Sequence, residues 1–73
     1  MKNNKKAIGL ALQIVYEYEN WGWEHISDML ATYEDTKPPC DGDELHDLCV
    51  IADRHKKAGL SYDDALKEMT QKK

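Results

Sequence analysis

Four side chains able to bind a metal or act as nucleophiles fall within sixteen residues of this chain: Cys40, His46, Cys49 and His55. A structural zinc site needs four such groups converging on a tetrahedron, about 2.0–2.3 Å from the ion. His46 and Cys49 stand three apart and share a helical face, so they are the pair to watch. His46 and His55 stand nine apart, which at about 100° per residue sets them on opposite sides of a helix. Cys40 lies ahead of that helix, and the spacing fits no zinc-finger pattern. The expectation is no metal and no cofactor, with Cys49 buried as a small hydrophobe and the histidines facing solvent.

Catalysis finds little support in the same residues. A nucleophilic cysteine needs an accessible, electropositive setting to become thiolate. Cys49 instead has Glu44, Asp47 and Asp53 nearby and is expected to face the core. There is no glycine-rich phosphate loop, and a helical chain this short has little room for a deep pocket. The chain is read as a non-enzyme.

More informative is the aromatic cluster Tyr16, Tyr18, Trp21 and Trp23, with Tyr33 nearby. Four large aromatics within eight residues exceed what a small core can take in. Trp and Tyr dominate binding hot spots, and here Glu17, Glu19, Glu24 and Asp28 surround them. An exposed remainder would form an apolar anchor inside an acidic rim. The partner-binding set expected is Trp21, Trp23, Tyr18, Glu17, Glu24 and Asp28, with Trp21 as the leading anchor.

Charge favours the same conclusion. The chain carries 14 acidic and 10 basic residues, a net of −4. The distribution is uneven: residues 17–53 hold eleven carboxylates against Lys37 alone, a net of −10, while each end is +3. Phosphates would be repelled by that middle, so nucleic acid is not the expected partner there. A basic protein surface is, or a second copy docked through its basic ends.

These side chains must be positioned by helices. Seventy-three residues make one domain, with marginal stability of roughly 3–5 kcal/mol in this size range. The segment Asp35–Gly42 contains Pro38-Pro39, which no helix crosses, and it divides the chain into two helical halves. No stretch alternates in the manner of a strand. The expected fold is all-α, a small compact bundle of three to four helices at about 5–18, 21–34, 43–58 and 62–71, with a frayed tail at 1–4.

The first helix is apolar nearly all round, which makes it central, or half of a homodimer contact. Gly9 within it costs about 1 kcal/mol relative to alanine and is expected to permit a close helix crossing. Asn20 is expected to cap the second helix. The alternative is one long helix continuing through Gly22. Asp41 with Glu44, and Ser61 with Asp64, read as helix starts, and Gly59 as a helix end. Lys56 and Lys57 sit near the negative end of the third helix.

Helices 3 and 4 have about the size of a helix-turn-helix, with Arg54, His55, Lys56 and Lys57 adding positive charge. A recognition helix reads bases with its N-terminal residues, and helix 4 offers Tyr62, Asp63 and Asp64 there. The turn therefore reads as structural. No run approaches the roughly 20 apolar residues of a membrane span. Two cysteines form no disulfide framework, which suits a cytoplasmic protein.

Taken together, the residues suggest a small interaction module, a regulator or inhibitor of the kind phage and mobile elements encode. One variant is nucleic-acid mimicry by the carboxylates of 17–53. The alternatives are a DNA-binding regulator using helices 3 and 4, and a metal-stabilised module.

Overall fold

A computed structural model describes residues 5–33 and 35–71. Four helices run through them: α1 (Lys5–Glu17), α2 (Trp23–Ala31), α3 (Gly42–Lys57) and α4 (Tyr62–Thr70). No described helix is long and apolar enough to cross a membrane. The tail at 1–4, and Glu34 at the expected end of α2, lie outside the described residues.

α1 is the centre of the bundle. It packs chiefly against α3, then α4, and more lightly against α2. Ala7, Ile8, Ala11, Leu12, Ile14 and Val15 are all buried, closed in by Ile26 of α2, Leu45, Cys49 and Ala52 of α3, and Ala65 of α4. One shell thus covers most of the apolar face of this helix, leaving Leu10 and Tyr16 half-buried. The close approach to α3 runs through small side chains: the Cys49 thiol reaches the Ala11 carbonyl at 3.9 Å. Gly9 takes no part in it, since a Cβ there would meet nothing within 4 Å.

The chain breaks between α1 and α2, against the single-helix alternative. α2 starts later than expected, capped by Gly22 in extended conformation rather than by Asn20. The reason is local: His25, three residues on, turns its Nδ1 back to accept from the Gly22 amide at 2.9 Å. This is the capping-box geometry with an imidazole in place of a carboxylate.

The expected caps of the second half are in place. Asp41 Oδ1 accepts from the Glu44 amide at 2.8 Å, and Ser61 Oγ from the Asp64 amide at 3.2 Å. α3 ends in a Schellman motif, with the Gly59 amide on Lys56 O and the Leu60 amide on His55 O. Gly59 takes φ +96°, a conformation L side chains rarely adopt.

Candidate functional site

α1 has no basic residue in its last turn, so the negative end of its dipole must be met from elsewhere. Lys56 of α3 meets it, donating from Nζ to the Val15 carbonyl at 2.9 Å. This lysine, expected at the end of its own helix, serves the neighbouring one. Its ammonium also lies 5.6 Å from the Tyr16 ring centroid. The Tyr16 hydroxyl donates to Leu60 O at 2.8 Å, and its ring meets Tyr62 edge-on at 5.9 Å. Tyr16 is thereby committed to holding the α3–α4 turn, and burial followed by the Asp64 charge pushes its phenol pKa up.

Three aromatics gather at the break before α2, each against a histidine: seven residues on for Tyr18, and in α3 for both tryptophans. Tyr18 stacks on His25 with centroids 4.2 Å apart. Trp23 stacks on His46 of α3 at 4.5 Å with planes 3° from parallel. Trp21 meets the same His46 edge-on at 5.5 Å. His46 therefore sits between two indoles, where the sequence had suggested a histidine facing solvent.

The two tryptophans divide the roles in the reverse of the expected order. Trp21 is half-buried and packs against the core; its indole also helps hold Asp53 of α3 ionised. Trp23 is 53% exposed, the most exposed large hydrophobic residue of the described chain, and Tyr18 is 42% exposed. Trp23 lies over the start of α3, where a Cβ on Gly42 would stand 3.8 Å from its ring. Trp21 is thus a strut and Trp23 the presented surface.

Glu17, Glu19, Glu24 and Asp28 are exposed, as are Asp43 and Asp47 on either side of His46. Glu24 and Asp28, four residues apart, share one flank of α2. Sequence reasoning missed His25 altogether, although a histidine at the third position after a glycine cap was a readable signal. It also misplaced His46, for which no local signal exists.

The sulfur chemistry is closed off. Cys40 and Cys49 are both buried and unpaired. Burial, and then Cys40, push the Cys49 thiol up to about 12; burial, then Glu44 and Asp41, raise Cys40. Both stay protonated at neutral pH. His46 is engaged with Trp23 and Cys49 with Ala11, so the pair does not converge. Among the described residues no three His, Cys, Asp or Glu side chains gather to hold a metal.

At the head of α4, Asp63 and Asp64 are exposed in the first turn and Tyr62 leans on Tyr16. Tyr62 is 40% exposed. The end of α4 that a helix-turn-helix would aim at bases carries two carboxylates.

No family model matches the chain, and neither a curated protein nor a solved structure matches it.

Proposed function

We propose that this protein is a non-enzymatic interaction module of the cytoplasm, a regulator or inhibitor that covers a basic surface on a protein partner. The contact residues in this reading are the Trp23–His46 stack, the exposed Tyr18, and the exposed carboxylates Glu17, Glu24 and Asp28. The observation that carries this reading is a large indole more than half exposed, yet held flat against an imidazole. An aromatic anchor fixed before contact loses little side-chain freedom on binding, which is a principal cost of association. The exposed carboxylates supply steering and selection for positive charge.

A homodimer through α1 is not part of this reading: Ala7, Ile8, Ala11, Leu12, Ile14 and Val15 are buried within the one chain, with Leu10 and Tyr16 half-buried. The reading is tested by affinity capture from native cell extract, with wild-type protein beside Trp23→Ala. The expected result is a basic protein retained by the wild type, released by moderate salt and lost with Trp23→Ala, while the variant keeps wild-type helicity at room temperature. Displacement of that partner by duplex DNA would identify the mimicry variant. Retention of the same partner by a folded Trp23→Ala protein would overturn the reading.

A further inference from the structure

Gly9 stands inside α1, where alanine would be the better helix former. Neither of the usual reasons for a glycine applies. Its φ is not positive, and a Cβ built on it would meet no atom within 4 Å. The missing side chain leaves open space, and that space belongs to a groove of about 510 Å³ between α1, the segment after α2 and the head of α4. Lys5, Lys6 and Lys37 border it, with Tyr33 and Tyr62 as aromatic walls.

The charge in this groove opposes that of the molecule. Lys37 is the single base among residues 17–53, and folding carries it to the two lysines that open α1. Among the described residues no carboxylate lines the groove, and none of the three lysines joins an ion pair. Three ammonium groups lining one groove repel one another, and a bound anion relieves that repulsion. The volume falls in the range of small-molecule sites, about 300–1,000 Å³. Ammonium groups recognise phosphate as point charges, and tyrosines offer both ring faces and hydroxyl donors.

We propose that this groove binds an organic polyanion carrying a planar ring, of the nucleotide class. Lys5, Lys6 and Lys37 take the anionic groups, Tyr33 and Tyr62 the ring, and Gly9 leaves the floor open for it. The site shares no lining residue with the Trp23 face and does not depend on that reading.

The test is titration of 15N-labelled protein with ATP at physiological ionic strength, beside two probes that lack a ring, tripolyphosphate and a polyglutamate peptide. ATP is expected to give saturable shifts centred on Gly9, Tyr33, Lys37 and Tyr62, and to bind about tenfold tighter than either ringless probe. Gly9→Leu fills the floor and Lys37→Glu reverses a charge; each is expected to weaken ATP by about tenfold. Gly9→Leu should do so with an unchanged or raised melting temperature, because its Cβ meets nothing. Trp23→Ala should leave ATP binding unaltered. Shifts that do not saturate, that centre elsewhere, or that survive both groove substitutions overturn the proposal. So does equal binding of a ringless probe, which would reduce the groove to a patch of charge.

Discussion

The rings of Trp23 and His46 lie 4.5 Å apart and 3° from parallel, joining the first residue of α2 to the second turn of α3. This contact turns an exposed indole into a fixed surface. Trp21, on the edge of the same imidazole, anchors the segment between α1 and α2 to the core.

The two tryptophans should separate stability from binding. Trp21→Ala removes packing at the core and should cost about 3 kcal/mol, a fall of roughly 15 °C in melting temperature. Trp23→Ala loses the aromatic contact alone, about 1 kcal/mol, or roughly 5 °C. Thermal melts followed by circular dichroism measure both. A larger loss from Trp23→Ala would make it the strut and reverse the assignment.

Lys56 and Tyr16 should prove coupled. Lys56→Met removes the ammonium at the end of α1 and should destabilise by about 1 kcal/mol. Tyr16→Phe removes the hydrogen bond to Leu60 and should cost about 1 kcal/mol as well. Tyr16→Leu, which also removes the ring under the ammonium, should combine with Lys56→Met to cost less than the two changes separately. Urea unfolding of the double-mutant cycle gives the coupling, and strict additivity would mean that the cation does not use the ring.

Cysteine labelling reports on the core. At pH 8 native protein should label slowly with iodoacetamide at Cys40 and more slowly still at Cys49, whose burial pushes its thiol up to about 12. Both should label promptly in denaturant, where a free thiol titrates near about 8.5. Rapid native labelling of Cys49, read by mass spectrometry, would contradict its enclosure between α1 and α3.

Acid should act partly through Asp53. The hydrogen bond from Lys57, at 2.6 Å, holds its carboxyl below the ordinary value against the opposing effect of burial, with the Lys57 charge and the Trp21 indole assisting. A carboxyl depressed on folding adds stability above its unfolded value, near about pH 4, and that stability drains away as pH falls through the lower folded value. Asp53→Asn should therefore destabilise at pH 7 by a few tenths of a kcal/mol, and flatten the loss of stability below about pH 4. An unchanged acid profile would remove Asp53 from the account.

Much of the architecture was legible because its signals are local. Pro38-Pro39 cannot be helical, Asp41 and Ser61 cap the amides three residues ahead, and Gly59 supplies the conformation a Schellman turn requires. Even the start of α2 was available in Gly22 and His25, had imidazole been counted among capping groups. Each of these interactions spans no more than a few residues, so residue type and spacing determine it.

The site was legible only as a composition, aromatics among carboxylates between residues 16 and 28. Which tryptophan is enclosed, where His46 points and which helix Lys56 caps all depend on partners more than 20 residues away. Such partners meet only after α1, α2 and α3 have chosen their packing, because burial and stacking are properties of the assembled core. Amino-acid order determined the four helices and the charge they carry; tertiary structure alone decided that Trp23, rather than Trp21, faces outward.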